Sequence, residues 1–226
     1  MRRSKTSLAA ACMAITALMT VAVGSVTARP SDLNLARAAT GKFHDLSVAE
    51  HAGYGLPPAG APLHECITNP LGTMGFHWIN GGLLDTTLDP TQPEALVYQP
   101  DANGNLHLGA AEYVVFQAPW DAAHAADPAD FPTLPNLFGH DYALVGPAAG
   151  HNGNTVFDIP PFYQLHVWLW NSNPTVPDGM FFPWNPSVSC DGAAAAAAKY
   201  PQIGTVNARL AAAVGRFGCH IRARDS

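Results

Sequence analysis

The chain has 226 residues, of which 12% are charged and 48% hydrophobic, and its formal net charge is -6. With only 11 Lys and Arg, it lacks the basic patches that neutralise phosphate, which excludes nucleic acid as a partner and argues equally against anionic membrane surfaces. The few basic residues are confined to the ends: none lies between Lys42 and Lys199, a stretch that holds fifteen Asp or Glu and nine His.

The first residues read MRRSKTSLAAACMAITALMTVAVGSVTARP. Arg2, Arg3 and Lys5 form a basic start, an apolar run extends from Leu8 to Val23, and Val26-Thr27-Ala28 supplies small residues for cleavage. This is the layout of a secretory signal peptide over residues 1–28. The run is short for a bilayer-spanning helix of ~20 apolar residues. Arg2-Arg3 also raises the twin-arginine route, although Ser-Lys-Thr-Ser does not complete that signal. Cys12 precedes most of the apolar run and is not placed like a lipoprotein cysteine. The expected mature protein is one exported globular domain, 29–226, with no membrane segment and a formal charge of -9 once Arg2, Arg3 and Lys5 are gone.

Ser31 or Asp32 can cap a helix running through LNLARAATGKFHDLSVAEHAGY, with Gly41 as a candidate break and Gly53 with Pro57-Pro58 as its end. Residues 55–72 are rich in Pro and Gly and read as a loop. MGFHWIN (Met74 to Asn80) alternates like a strand. Leu96–Gln99 and Leu106–Phe116 flank Asn103-Gly104, a hairpin signal that pairs them antiparallel. Residues 117–161 form a long surface excursion with one or two short turns or helices. FYQLHVWLW (Phe162 to Trp170) is the clearest strand, and MFFPWNPSVSC follows as an irregular apolar segment. From about residue 191 the chain is alanine-rich and reads as helix in two pieces, broken at Pro201 and Gly204. The sum is an α+β fold: an N-terminal helix, an antiparallel sheet core, long irregular loops and a C-terminal helix. A mainly β sandwich or barrel is the alternative.

Three cysteines follow the signal: Cys66, Cys190 and Cys219. In an exported protein one disulfide is expected, leaving one thiol over. Cys66–Cys190 and Cys190–Cys219 are both open. The first is preferred because those residues flank the densest part of the chain.

A carboxylate buried without a partner is costly, so it must be protonated, hydrogen-bonded or paired with a cation. In the Lys- and Arg-free stretch, local cations reduce to protonated histidine or a metal ion. Period-two alternation puts Glu112 with Val114 and Phe116, His166 with Gln164, Trp168 and Trp170, and His77 with Gly75 and Ile79. All three polar residues project mid-strand among apolar neighbours. Together His77, His166 and Glu112 offer two imidazoles and a carboxylate, a donor set suited to zinc, copper, iron or manganese that leaves coordination positions open. His140 or His44 would be a fourth ligand or a supporting partner. The bland alternative is a set of separate strand histidines, each satisfied by a carbonyl or a tyrosine. Trp78, Tyr113, Trp168 and Trp170, with Phe181, Phe182 and Trp184, form an aromatic group that either lines a ligand pocket or packs the core. DANGNLHLGAAE has the acidic spacing of a calcium loop, but Leu106 stands where that loop needs Gly, so the hairpin is the better reading. No G-x-S-x-G or Gly-rich phosphate loop occurs.

The blocks FHDLSVAEHAGY, MGFHWIN, PEALVYQP, AAEYVVF, NLFGH, LHVWLWNSNP and FFPWNPSVSC resemble, in order, a family of uncharacterised exported bacterial proteins. The resemblance covers roughly residues 43–190 and implies that His77, Glu112 and His166 lie within the family's motif blocks. It implies kinship and no mechanism. The alanine-rich tail with Cys219 and His220 falls outside it.

Overall fold

The computed structural model describes residues 31–58, 61, 63–124, 133–146, 159–175 and 179–204. The segment read as a signal peptide, Cys12 and the tail carrying Cys219 lie outside the described residues.

Helix α1 (Asp32–Thr40) begins where the Ser31 hydroxyl accepts the Asn34 N–H, and Asp32 puts negative charge in its first turn. Both features favour a helix N-terminus. At Gly41 the chain tightens into a 3-10 turn (Gly41–His44), and α2 (Leu46–His51) restarts under the Asp45 carboxylate, which accepts the Ser47 N–H at 2.9 Å. The expected break at Gly41 is therefore a joint between two short helices.

The strands are β1 (Ile67–Asn69), β2 (Gly72–Ile79), β3 (Ala95–Pro100), β4 (Leu106–Phe116), β5 (Asn136–Leu137), β6 (His140–Asp141), β7 (Ala143–Val145) and β8 (Phe162–Val167). Six of them form one antiparallel sheet in the order β1-β2-β3-β4-β8-β7, while β5 and β6 pair separately. With its helices and its curled antiparallel sheet, the fold is α+β. The β3–β4 hairpin turns at Asn103-Gly104 as expected. Gly104 has φ +79°, and a Cβ there would run into the Ala195 backbone. The Asp101 carboxylate accepts the N–H groups of Asn103 and Asn105, so the acidic residue of the calcium-like spacing serves the turn.

Two expectations are corrected in extent. Strand β8 stops at Val167, short of Trp170: the Trp168 N–H turns to the Met180 carbonyl, and the chain meets β4 again only out of register, where the Trp170 N–H bonds the Gly109 carbonyl. The excursion after β4 holds helix α3 (Gln117–His124) but also returns β7 to the sheet as an edge strand on β8. Helix α4 (Ala193–Lys199) opens the alanine-rich segment, and a further helical turn spans 201–204. Cys66 and Cys190 are joined in a disulfide across 124 positions. Among the described residues, no helix is long and apolar enough to cross a membrane.

Because paired residues in an antiparallel ladder share a face, the registers sort the sheet cleanly. One face carries Phe76, Trp78, Leu96, Tyr98, Tyr113, Val115, Tyr163 and Leu165, packed into two core clusters with residues of α1, α2 and the 3-10 turn. The other carries His77, Ile79, Ala95, Val97, Ala110, Glu112, Val114, Gln164 and His166. Polar residues are thus concentrated on the face that the helices do not cover.

Candidate metal centre

Glu112 and His166 are direct cross-strand partners on β4 and β8. His77 comes from β2, on the far side of β3. On a flat sheet three strand spacings of ~4.8 Å would hold β2 and β8 about 14 Å apart. The rings of His77 and His166 are instead 6.5 Å apart, since the sheet is curled and both side chains lean inward over β3 and β4. The diagonal from His77 to Glu112 passes between Ala95 and Val97, and Ala95 is too small to block it. Gly75 contributes two residues before His77: with φ +123° and the Tyr98 carbonyl 2.5 Å from where a Cβ would stand, it lets β2 close on β3 beside the irregular register at Val97 and Tyr98.

The three residues are deeply buried, with exposures of 1% for His77, 5% for Glu112 and 2% for His166. His77 Nε2 lies 3.3 Å from Glu112 Oε2. Among the described residues, neither ring nitrogen of His166 has a hydrogen-bond partner, and neither does Nδ1 of His77. The described basic side chains are engaged elsewhere: Arg37 on the Leu169 carbonyl, Lys42 over the Phe43 ring and Lys199 on Asn105. Burial therefore decides the charge states. It pushes the Glu112 carboxyl up to about 8. It pushes His77 down to about 4, with the Gly75 backbone pulling the other way without satisfying Nδ1. His166 is driven well below the usual imidazole value, first by burial and then by the neighbouring His77. Burial thus favours neutral imidazoles and a protonated acid in the trio on its own.

One ligand atom from each residue can be chosen so that all three lie within 4.8 Å of one another. Around a tetrahedral ion with bonds of ~2.0–2.1 Å, ligand atoms stand ~3.3 Å apart, so small side-chain rotations close the set. Neutral imidazole is the form that binds metal, and an arriving cation would replace the proton on Glu112. The donor set and its unsatisfied nitrogens thus fit a transition-metal ion.

Beside the trio is a cavity of about 430 Å³. Its walls are largely aliphatic and aromatic, including Met74, Ile79, Val114, Phe116, Phe162 and Trp184, and its polar groups are the trio with Glu94 and Gln164. Alternation through EALVYQP groups Glu94 with Leu96 and Tyr98, on the helix-covered face, so the sequence does not mark it as a site residue; it stands just before β3, where the pattern no longer holds. Its Oε2 accepts the Val114 N–H at 2.9 Å, and burial raises its carboxyl to about 8.

The other expected site residues stand elsewhere. His140 is half-buried and stacks on Phe181 at 3.7 Å, away from the trio, so it is no fourth ligand in this arrangement. His44 is exposed against Trp170. Trp78 and Tyr113, candidates for a pocket wall or for the core, lie on the helix-covered face at 0% and 1% exposure, where they pack the core. Trp168 is buried, with its indole N–H on the Phe182 carbonyl, and Trp170 is half-buried with its N–H on the Thr40 hydroxyl. None of these four lines the cavity; Trp184 does.

No known family, curated protein or solved structure matches the chain.

Proposed function

We propose that this is an exported metal-binding protein in which His77, His166 and Glu112 hold one transition-metal ion, zinc, copper, iron or manganese, at the wall of a small-molecule cavity. The observation that carries the reading is the convergence of two buried imidazoles and a buried carboxyl, from three strands, with ligand atoms within 4.8 Å and three imidazole nitrogens unpartnered. Each unmade hydrogen bond of a buried polar group costs ~1–3 kcal/mol, and a bound ion offsets that cost. The histidines would bind as neutral imidazoles. Glu112 would serve as the anionic ligand or, for a water on the ion, as a general base. Two histidines and one carboxylate leave positions for water or ligand, and the cavity adjoins them.

Export is supported by the N-terminal layout and by the Cys66–Cys190 disulfide, which suits an oxidising compartment. Kinship with the exported family named above belongs to the same proposal. The rival reading, a non-catalytic binding or structural module with an aromatic surface, is weakened because Trp78, Tyr113 and Trp168 are buried.

The test is elemental analysis of purified protein after exposure to each of the four ions and removal of excess. We expect one ion per chain in the wild type and in His140→Ala, and none in His77→Ala or His166→Ala. A wild type that retains none of the four ends the proposal.

A further inference from the structure

Charge and shape of the cavity together define what fits beside the metal. The wall is apolar apart from Glu94 and Gln164, and the metal ligands lie together on it. Among the described residues lining it there is no lysine or arginine, and two carboxyl groups, Glu94 and Glu112, face it. On its own such a cavity offers an anion no positive charge to offset the loss of its hydration. A divalent ion on the trio would change this: with Glu112 ionised as its ligand, one net positive charge would remain beside the cavity that all three ligands line. The volume of about 430 Å³ sits low in the ~300–1,000 Å³ range of small-molecule sites. At ~30 Å³ per water-sized group, ~14 non-hydrogen atoms would fill it.

We infer that the cavity binds a small monocarboxylic amphiphile, an apolar body of about six to ten carbons, with its carboxylate on the metal ion and its body against Val114, Phe116, Phe162 and Trp184. The carboxylate oxygen is a normal ligand for the ions in question. The inference rests on the metal reading above, and it adds a condition: carboxylate binding must depend on the ion, because nothing else lining the cavity supplies positive charge. A neutral molecule of the same shape should be indifferent to the ion. Of the described lining residues, Ala143 on edge strand β7 is the exposed one and Val145 beside it is half-buried, which makes β7 the side from which a ligand would enter.

The experiment is calorimetric titration of octanoate and of 1-octanol into the full chain, once loaded with zinc and once stripped with chelator, with zinc content measured in parallel. We expect octanoate to bind the zinc-loaded protein at least tenfold more tightly than the stripped protein, and octanol to bind both within about threefold. Ala143→Trp, which places an indole in the exposed mouth, should keep one zinc per chain and weaken octanoate at least tenfold. Zinc-loaded protein that ignores octanoate, or binds it equally well when stripped, overturns this inference and leaves the metal reading standing. A chain that takes up no zinc overturns the inference with zinc as its ion. Octanoate binding that Ala143→Trp does not weaken would put the ligand outside this cavity.

Discussion

The two faces of the sheet bury polar groups in opposite ways. On the helix-covered face the Tyr98 hydroxyl donates to the Phe43 carbonyl at 2.7 Å, the Tyr113 hydroxyl to the Pro90 carbonyl at 2.8 Å, and the Trp78 indole N–H reaches the Glu50 carboxylate at 3.4 Å. Those aromatic residues bring their own backbone or side-chain partners and behave as core. On the cavity face, His77 and His166 hold three of the six orphaned buried polar atoms among the described residues, all in one place, whereas the others, on His64, Gln99 and Tyr142, are scattered singly. Scattered orphans are a tolerable cost of packing. Three beside a buried acid on curled strands mark a place shaped for something other than stability.

That contrast can be broken by substitution, in order of expected effect. On the packed face Trp78→Ala should cost ~3–5 kcal/mol, the usual result of emptying a well-filled aromatic site, read by urea unfolding. A loss under ~1 kcal/mol would mean that the packed face is loose.

On the cavity face the sign should reverse. His166→Leu keeps the volume and removes two unpartnered nitrogens, so the metal-free protein should gain ~1–3 kcal/mol while losing its metal. A clear destabilisation in the presence of chelator would reveal a partner for His166 and erase the difference between the faces.

Glu112 sharpens the comparison through pH. Burial raises its pKa to about 8 in the folded chain, above the ordinary carboxyl value of 4.5. The folded state therefore holds the proton more tightly than the unfolded state. Its contribution is complete below that ordinary value and is lost as pH rises towards 8. Glu112→Gln should make metal-free protein progressively more stable than wild type from pH 5 to 8, by at most ~1.4 kcal/mol per pH unit. Glu94 is raised in the same direction, chiefly by its own burial and only in last place by Glu112, and is present in both proteins, so the difference reads mainly Glu112. Parallel pH profiles would mean that Glu112 is solvated.

The smallest effect should come from His140→Ala. His140 stacks on Phe181 outside the trio, so stability should change by no more than ~0.5–1 kcal/mol and metal content should not change. Loss of metal in that variant would move the centre.

The sequence carries more of the local structure than of the site. Alternation in MGFHWIN, AAEYVVF and FYQLHV is enough to put His77, Glu112 and His166 on strand faces, and Asn103-Gly104 is enough to pair β3 with β4. The gap between Lys42 and Lys199 shows in advance that Glu112 has no cation nearby in the chain. Hidden from sequence is the strand order, which sets β8 against β4, and the curl that brings His77 across β3 to Glu112. The strand order is set by long-range pairing, and the irregular register at Val97 and the close approach at Gly75 lie where β2 closes on β3, contacts that no local pattern announces. Strand alternation also decides between pocket and core for two of the aromatic residues. Trp78 and Tyr113 each sit next in sequence to a site residue, and in a strand that places them on the opposite face. Edge strand β7 is only three residues long and carries too little pattern to declare itself.

X-ray absorption at the zinc edge of the zinc-loaded full chain reads directly which atoms hold the ion. The account predicts two imidazole nitrogens and oxygen neighbours at ~2.0–2.1 Å, with no sulfur. A sulfur neighbour at ~2.3 Å, or a spectrum without imidazole, would place the ion away from His77 and His166 and contradict it.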